Sequence, residues 1–490
     1  MNNNTGKREE LLTFNRFGIT QIQKHIALGQ LSCSEIVETC LAQINEGAHY
    51  NAFISVFGER SLKKAEEIDV KIKENRAGKL AGTVLAIKDN IVIKGERVTC
   101  GSRILENFVS PYDATVIRKL EAEDVIIIGK TNMDEFAMGS SNENSYFGAV
   151  KNPNDVERVP GGSSGGSCTA VAGGLCTAAL GSDTGGSIRQ PASFCGVVGL
   201  KPTYGRVSRF GLVAFASSFD QIGPITQTVE DAASLLKVIS GNDDRDATTA
   251  QVPVPDFLTS LGKSVTGLRI GWPDQYFNVD LNQEVRQALE AARDFLQENG
   301  AQIVPVSLPH TDYAIAAYYI LATAEASANL ARYDGARYGF RAEGVENLEE
   351  MYVESRSLGF GDEVKRRIML GTYVLSAGYY DAYYGKGQKV RTLIKQDFER
   401  AFEQCDCLLT PTCPTTAFKL GEKAGDAMTM YLSDVYTVSA NLAGLPAISI
   451  PCGLDAHKMP IGAQIIGKYF DEAAILGVAN FLEKGINDIK

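Results

Sequence analysis

Apolar residues recur at helical spacing in the first eighty residues of the chain. Ser32 and Glu35 match the S-x-x-E capping box that begins many helices. An apolar stripe follows at Ile36, Val37, Cys40, Leu41 and Ile44. Charged sequence of helical character continues from Glu59 to about Lys79. The pattern predicts that residues 1–80 are largely helical.

The pattern changes at Gly82, where short apolar runs of strand length replace the helical spacing. Val84 to Ile87 is one such run, and Val125 to Ile128 is a second, bounded by Gly129. A helix is predicted after the second run. Short apolar strands that alternate with helices are typical of a buried, parallel or mixed sheet covered by helices.

The second half of the chain contains a strand–helix–strand pattern. A strand begins near Leu268 to Ile270, an apolar helical face follows, and Asn299-Gly300 ends that helix before Ile303-Val304. The pattern predicts a βαβ unit. The helical face comprises Val285, Leu289, Ala292 and Phe295. Later strands are predicted at Leu408-Leu409, Ala447 to Ile450 and Gly462 to Ile466, and a last helix near Asp471 to Glu483.

Together these elements predict one α/β domain over residues 1–490, with one large mixed sheet covered by helices on both faces. We found no internal repeat. The parts of this domain are a helical N-terminal part (about 1–80), a core rich in Gly and Ser (about 82–225), a polar surface connection (about 241–257) and the rest of the sheet and helices (258–490).

Composition excludes several classes of protein. The chain has 490 residues, 44% hydrophobic and 22% charged, which is ordinary for a globular protein. Its net charge of −11 makes direct binding to nucleic acid a poor hypothesis. The first ten residues lack the apolar core of a signal peptide. The longest run without charge, Val159 to Ser182, is too rich in Gly and Ser for a helix in lipid. We therefore expect a cytoplasmic protein with no membrane contact.

The ten cysteines give no metal-binding pattern. Cys405, Cys407 and Cys413 form a cluster, but no histidine lies near them in the sequence. A structural zinc site needs four ligands at tighter, paired spacings. We therefore predict buried free thiols and no metal in this chain.

A glycine-rich segment, Gly161 to Gly165, matches the G-x-S-x-G elbow of α/β-hydrolases. An apolar run of helical character, Ala170 to Ala179, is predicted after it. That elbow follows a strand directly, whereas residues 152–160 are polar and contain two prolines. A histidine triad would also need His310 or His457, and neither sequence context favours such a role. The pattern therefore argues against a histidine-dependent hydrolase.

A second glycine-rich segment, Gly181 to Ser187, suits a nucleophile better. Consecutive glycines can present backbone N–H groups in one concave nest, and a nest beside a serine hydroxyl can serve as an oxyanion hole. Lys88 can supply the base, because burial at the end of an apolar strand lowers the pKa of a lysine. Taken one at a time, these features are explained more simply by a tight turn and a solubilising lysine.

Taken together, Lys88, Gly161 to Ser167 and Asp183 to Pro191 resemble the amidase signature family in order and spacing. The resemblance implies a Ser-cisSer-Lys triad. Ser187 would attack an amide carbonyl and form an acyl-enzyme. Ser163, preceded by a cis peptide bond, would relay the proton to neutral Lys88.

The resemblance also assigns supporting roles around the triad. The oxyanion would be held by the backbone N–H groups of Thr184, Gly185, Gly186 and Ser187. Asp183 and Arg189 would fix the loops without reacting.

Longer stretches resemble one branch of the family, the glutaminase subunits of tRNA-dependent amidotransferases. They are residues 133–140, 201–209, 364–372, 379–384 and 441–446, with slight departures at Ser193 and Phe194. The resemblance implies hydrolysis of glutamine to glutamate and ammonia. It also implies a heterotrimer. A partner B subunit would bind mischarged tRNA, use ATP and Mg²⁺, and receive the ammonia through a tunnel. A small C subunit would wrap this chain, which would itself hold no cofactor.

The same resemblance predicts a pocket for the charged end of glutamine. Arg367 would pair with the α-carboxylate, because a guanidinium can bind a carboxylate through two hydrogen bonds. Asp434 would accept from the α-ammonium, and Tyr318 and Gly139 would line the pocket. The residues alone would favour a solvated basic face for Arg367 and a helix cap for Asp434.

Two other functions stay open at this stage. A free-standing amidase of the same family would act on another amide and would lack the pair formed by Arg367 and Asp434. A non-catalytic scaffold would have lost a triad residue, whereas all three are present. The sequence does not decide between Gln-tRNA and Asn-tRNA as the final product.

Overall fold

An eleven-stranded mixed sheet forms the centre of the computed structural model, which describes residues 17–277 and 281–489. The strands are β1 (Phe53–Val56), β2 (Val84–Lys88), β3 (Ile126–Thr131), β4 (Ala178–Asp183), β5 (Val198–Lys201), β6 (Gln221–Thr226), β7 (Arg269–Pro273), β8 (Gln302–Val306), β9 (Cys407–Pro411), β10 (Ala447–Leu454) and β11 (Pro460–Gly467). Their order is β1-β3-β2-β4-β6-β5-β10-β11-β9-β7-β8. The pairs β2–β3, β2–β4, β7–β8 and β7–β9 are parallel.

Helices cover both faces of this sheet. They are α1 (Ile19–Ala27), α2 (Cys33–Glu46), α3 (Gly58–Lys73), α4 (Thr115–Ala122), α5 (Gly165–Ala172), α6 (Arg189–Cys195), α7 (Val229–Ile239), α8 (Gln283–Glu298), α9 (Ala314–Leu330), α10 (Leu348–Gly359), α11 (Asp362–Leu375), α12 (Lys386–Gln404), α13 (Ala427–Tyr431), α14 (Val438–Ala443) and α15 (Glu472–Ile489). Strand β2 shows why both faces are covered. Its residues Leu85 and Ile87 belong to one hydrophobic core, and Val84 and Ala86 belong to the other. The α/β fold class predicted from the sequence is confirmed.

Several local predictions are confirmed. Ser32 Oγ accepts the Glu35 N–H at 3.2 Å and Glu35 Oε2 accepts the Ser32 N–H at 2.9 Å, so the capping box begins α2. The segment β7–α8–β8 forms the predicted βαβ unit with parallel strands. The predicted strands near residues 408, 447 and 462 are β9, β10 and β11, and the last helix is α15.

Two predictions were wrong. No long helix follows β3. The strand runs past Gly129 to Thr131, and only a short 3-10 turn, Glu135–Ala137, comes after it. Phe136 in this turn has a left-handed backbone with φ of 49°, which cannot continue an α-helix. The apolar run near residues 170–179 is also not one helix, because α5 ends at Gly173-Gly174 and β4 begins at Ala178.

Further predictions concern where individual segments of the chain begin and end. The charged helix α3 ends at Lys73, earlier than expected. Residues 242–256 form no helix or strand, as predicted, but Asp246 accepts the Arg209 N–H at 2.7 Å and ties this connection to the core. The prediction for residues 1–10 lies outside the described residues, and the assignment of one domain to 1–490 stays a prediction.

The pairing of β2 with β3 shifts by one residue between Leu85 and Ala86. The shift leaves Ile128 without an opposite residue on β2 and forms a β-bulge. Because side chains alternate between the two faces of a sheet, the bulge turns Lys130 toward the face of its neighbour Ile87. Lys88, the next residue of β2, therefore projects to the opposite face from Lys130.

All ten cysteines are buried free thiols, as predicted. Among the described residues, no group of three or more His, Cys, Asp or Glu side chains is arranged to hold a metal ion. Within the same residues, every helix is too short or too polar to cross a bilayer.

Candidate active site

Lys88 is completely buried at the carboxyl end of β2. Its Nζ lies 2.7 Å from Ser163 Oγ and 2.8 Å from Ser164 Oγ, and donates to the Ser182 carbonyl at 3.3 Å. None of these partners is charged. An uncharged amine has two hydrogens and one lone pair, so it can donate two of these bonds and accept the third from a serine hydroxyl.

This environment suits Lys88 to act as a base. Burial lowers the pKa of Lys88 to about 7, although the nearby carboxylates Asp134 and Asp183 act against this shift. A lysine with this pKa is about half uncharged at neutral pH. The nitrogen can therefore take a proton from a neighbouring hydroxyl without first losing one to solvent.

Ser163 is held against Lys88 by the glycine-rich segment before α5. The Gly162–Ser163 peptide bond is cis, as the family resemblance implied. Gly162 donates its N–H to Gln190 Oε1 at 3.0 Å. A Cβ at Gly162 would lie 2.0 Å from Asp134 Oδ2, so only glycine fits between this carboxylate and the chain.

The second glycine-rich segment follows β4 and contains Ser187. Gly185 packs against the ring of Tyr318, where a Cβ would lie 2.5 Å from Tyr318 Cζ. Gly186 has φ of 136°, and a Cβ there would lie 2.2 Å from Thr437 Oγ1. Both positions therefore require glycine.

Three of the four predicted oxyanion donors are open. Within the described chain, the backbone N–H groups of Thr184, Gly185 and Ser187 make no hydrogen bond. The fourth donates instead to Asp183, because the Gly186 N–H lies 2.9 Å from Asp183 Oδ1.

Ser187 is brought next to Ser163 through its backbone. Its carbonyl accepts the Ser164 N–H at 3.1 Å, and the residue is 8% exposed. In the described part of the chain, its hydroxyl forms no hydrogen bond to Ser163 or to any other residue. The structure thus joins Lys88 to Ser163 directly and leaves the Ser187 hydroxyl available to a substrate.

Asp183 and Arg189 form a fully buried ion pair beneath this turn. Arg189 donates to the two carboxylate oxygens of Asp183 from Nε and Nη2, each at 3.0 Å. Burial alone would raise the pKa of Asp183, but the guanidinium lowers it to about 2. Arg189 also donates from Nη1 to Gln464 Oε1 at 2.6 Å and from Nη2 to Asn441 Oδ1 at 2.5 Å. The turn formed by residues 184–187 holds the predicted nucleophile Ser187 and is called the nucleophile turn below. These bonds tie it to α14 through Asn441 and to β11 through Gln464.

A cavity of about 340 Å³ opens beside this cluster, with Gly139 and Arg367 in its wall. Arg367 is 3% exposed and donates from Nε to Glu363 Oε1 at 2.8 Å. Its guanidinium lies over the rings of Tyr319 and Tyr431, at 5.1 Å and 5.4 Å. Burial acts to lower the pKa of Arg367, but Tyr319 and Glu363 beside it raise it overall. Its two Nη atoms bond to no described residue, so they remain available for a carboxylate.

The other predicted pocket residues lie close to these charges. Burial raises the pKa of Asp434 to about 7, while a hydrogen bond from Ser140 Oγ at 2.5 Å opposes the shift. The pKa of Tyr318 is raised well above its usual value by burial, and the charges of Arg367 and Asp434 both act on it. Asp434 contacts Ser140, and Tyr318 contacts Gly185. Neither Asp434 nor Tyr318 lines the 340 Å³ cavity.

Sequence reasoning assigned no role to several residues that the structure brings into this cluster. They are Asp134, Ser140, Ser164, Gln190 and Thr437. The first four lie inside the motifs quoted above, so proximity to those motifs was an available signal. Thr437 donates to the Gly185 carbonyl at 2.6 Å across 252 positions, and no local pattern predicts that contact.

The histidines are separate from this cluster. His310 Nδ1 contacts the carboxylate of Asp397 at 3.0 Å, and His457 is exposed. The segment before Gly161 is irregular and contains no strand. The structure therefore gives no support to the histidine-dependent elbow.

A buried lysine beside a cis-linked serine, next to a glycine-rich serine turn, defines a class of amide hydrolases. A family model described as Amidase matches residues 35–476, and the chain belongs to this family, the amidase signature family.

More specific relatives agree with this class. The A subunit of the glutamyl-tRNA(Gln) amidotransferase of Thermodesulfovibrio yellowstonii is 56% identical over 96% of this chain and 98% of its own length. The protein of the same name from Chlorobium chlorochromatii is 55% identical, over 95% and 98%.

Solved structures show the same relationship. The A subunit of the glutamyl-tRNA(Gln) amidotransferase of Thermotoga maritima has a TM-score of 0.80 and 45% identity, covering 96% of this chain and 95% of that one. The peptide amidase of Stenotrophomonas maltophilia has a TM-score of 0.83 and 28% identity, covering 97% and 98%. The chain is thus similar both to one component of an amidotransferase and to a free-standing amidase.

Proposed function

We propose that this chain is the glutamine-hydrolysing subunit of a glutamyl-tRNA(Gln) amidotransferase. The observation that carries the proposal is the uncharged surroundings of buried Lys88, whose Nζ lies 2.7 Å from Ser163 Oγ. The names of the relatives that are 55% and 56% identical support the choice of this activity among those of the family.

In the proposed reaction, Ser187 Oγ attacks the side-chain carboxamide of glutamine. Ser163 takes the proton of Ser187 and passes its own proton to neutral Lys88. The N–H groups of Thr184, Gly185 and Ser187 stabilise the oxyanion, and Gly186 holds the turn through its bond to Asp183. Lys88 returns the proton through Ser163 to the departing nitrogen, which leaves as ammonia.

Deacylation uses the same groups in the second half-reaction. Water attacks the acyl-enzyme ester, and its proton passes through Ser163 to Lys88. The tetrahedral intermediate collapses with return of a proton to Ser187 Oγ, which releases glutamate. Asp183 and Arg189 hold the turn through both steps and exchange no proton.

The proposed substrate pocket recognises a free amino acid. Arg367 binds the α-carboxylate through its two Nη atoms, since Nε is already held by Glu363. Asp434 accepts from the α-ammonium, and it does so only in its ionised form. Tyr318 and Gly139 shape the space between these charges and the nucleophile turn.

The relatives are named as subunits, and the proposal therefore includes a heterotrimer with B and C subunits. The B subunit would bind ATP, Mg²⁺ and the mischarged tRNA, and this chain would deliver ammonia to it. The relatives' names specify glutamyl-tRNA(Gln), and we propose Gln-tRNA(Gln) as the product, although the same ammonia would serve aspartyl-tRNA(Asn). The proposal keeps the cytoplasmic location expected from the sequence.

The test is release of ammonia and glutamate from glutamine by the purified chain, alone and with its B and C partners. Ser187→Ala is the control. We expect release that the partners increase and that Ser187→Ala abolishes. If no combination releases ammonia from glutamine while the isolated chain hydrolyses C-terminally amidated peptides, the chain is a free-standing amidase. If neither substrate is hydrolysed, the chain is a scaffold.

A further inference from the structure

Gln190 links two parts of the candidate site through one buried amide. It is the second residue of α6 and has no exposed surface. Its Nε2 donates to the Ser140 carbonyl at 2.9 Å, and its Oε1 accepts the Gly162 N–H at 3.0 Å. The amide therefore uses a donor on one side and an acceptor on the other.

The two bonds of Gln190 lead to two groups with different roles in the proposed function. Ser140 donates from Oγ to Asp434 Oδ2 at 2.5 Å, and Asp434 is the proposed acceptor for the substrate ammonium. Gly162 precedes Ser163, whose hydroxyl lies 2.7 Å from Lys88 Nζ. The side chain of Gln190 thus connects Asp434, which would hold the substrate, to Ser163, which would relay the proton of Ser187.

The chain makes room for this link. A Cβ at Gly161 would lie 2.4 Å from Gln190 Oε1, so the amide approaches the backbone at a position where no side chain is tolerated. Asparagine and glutamine carry an acceptor oxygen and a donor nitrogen on one planar amide group, and glutamine has the longer side chain of the two. A buried amide with both sides bonded has little freedom to move.

We propose that Gln190 is a positioning residue that sets the distance between Asp434 and Ser163 and so selects glutamine among amides. This inference rests on the proposed function. The substrate spans a fixed length from its ammonium group to its carboxamide. Asp434 can therefore hold the ammonium while Ser163 relays the proton at the carboxamide only when these two side chains are correctly spaced. A misplacement of about 1 Å in a reacting geometry can cost about 100-fold in rate.

The test is a double-mutant cycle between Gln190→Met and Ser140→Ala, with kcat and KM for glutamine measured per folded molecule. Gln190→Met keeps the size of the side chain and removes both bonds. We expect it to lower kcat/KM about 100-fold, and Ser140→Ala about 10-fold. The double variant should lose only about 100-fold in kcat/KM, and not the about 1,000-fold expected for independent effects. Both substitutions interrupt the same link between Asp434 and Ser163, so the second adds little to the first.

Gln227→Met is the matched control, since Gln227 donates to the Val171 carbonyl at 2.6 Å outside the site. It should leave kcat/KM unchanged. If Gln190→Met yields no folded protein, Gln190→Glu replaces it in the cycle, since an ionised carboxylate keeps the acceptor and loses the donor. The inference is overturned if the loss in kcat/KM of the double variant equals the product of the two single losses within a factor of about two. A Gln190 variant as active as the parent would also overturn it. A parent chain that releases no ammonia from glutamine overturns the proposed function instead.

Discussion

Two completely buried lysines lie on adjacent strands of the sheet in different surroundings. Lys130 Nζ lies 2.8 Å from Asp89 Oδ1, and the same carboxylate accepts the Thr99 N–H at 2.9 Å. Lys88 contacts hydroxyls and a carbonyl, and no described carboxylate pairs with it directly. Burial is therefore common to both, and the identity of the nearest polar group differs.

This difference shows how a folded chain can lower the pKa of an ordinary lysine toward neutrality. Burial disfavours the charged amine, and an adjacent carboxylate compensates for that cost. At Lys130 the compensation is present, and the result is a structural ion pair. At Lys88 it is absent, and the result is an amine whose pKa falls to about 7. The β-bulge at Ile128 keeps the two lysines on opposite faces, so Asp89 serves only one of them.

The largest expected effect is on the Lys88 side of the comparison. Lys88→Met should lower ammonia release by about 10³- to 10⁴-fold, because the proton of Ser187 then has no acceptor. The free energy of unfolding should not fall, since a methionine suits a buried site without paired charge. Glutaminase assays and urea unfolding measure both quantities. A variant that keeps a tenth of the activity would show that Lys88 is not the base.

The opposite result is expected on the Lys130 side. Lys130→Met should lower the free energy of unfolding by about 3–5 kcal/mol, because the buried charge of Asp89 is left without its cation. Activity per folded molecule should stay close to that of the parent. Urea unfolding followed by circular dichroism measures the loss. Adding Asp89→Asn should recover most of it, and an equal loss in the double variant would contradict the ion-pair explanation.

The pH dependence of glutamine hydrolysis should separate Lys88 from Asp434. Lys88 must be uncharged to act, and burial lowers its pKa to about 7, so kcat should fall about tenfold per unit below that pH. Asp434 must be ionised to hold the ammonium, and burial raises its pKa to about 7, so kcat/KM should fall up to about 100-fold per unit. In Asp434→Asn the slope of kcat/KM should return to tenfold. A kcat that does not change between about pH 5.5 and 8 would argue against a lysine base.

The smallest expected effect concerns a third buried lysine, Lys201, and the change in the free energy of unfolding with pH. Lys201 is 1% exposed and donates to the Pro202 carbonyl at 2.9 Å. Burial and Arg189 lower its pKa to about 7, against 10.5 for an ordinary lysine. Between these values the unfolded chain binds a proton that the folded chain lacks, so stability rises with pH. The slope is up to about 1.4 kcal/mol per unit.

Lys201→Met should remove this contribution. Urea midpoints at several pH values between about 7 and 10 would measure the change in slope. An identical slope in the parent and in Lys201→Met would mean that Lys201 keeps its charge when buried.

The sequence predicted those features of the fold and site that depend on a single segment of the chain. A continuous apolar run predicted β2 and placed Lys88 at the carboxyl end of that strand. The family resemblance added the cis peptide before Ser163, which is present. These features depend on residues close together in the chain, so their pattern is visible without knowledge of the fold.

The sequence did not predict those features that depend on contacts between distant residues. Lys130 lies two residues beyond the apolar run that predicted β3, and its partner Asp89 lies 41 positions away in the sequence. The segment after β3 has helical composition, but the Asp134 carboxylate accepts the N–H groups of Asn142 and Asn144 and folds it into a loop. Neither the bulge nor these long-range bonds leave a periodic signal in the sequence.

The order of the strands has a consequence for how the protein is made. Strands β10 and β11 lie between β5 and β9, so residues 447–467 join two parts of the sheet that are synthesised earlier. Gln464 of β11 is also a partner of Arg189 beneath the nucleophile turn. A ribosome-bound chain that ends before β10 carries Lys88, Ser163 and Ser187 and still lacks this support. We therefore expect hydrolysis of glutamine only after β10 and β11 have been synthesised and have joined the sheet.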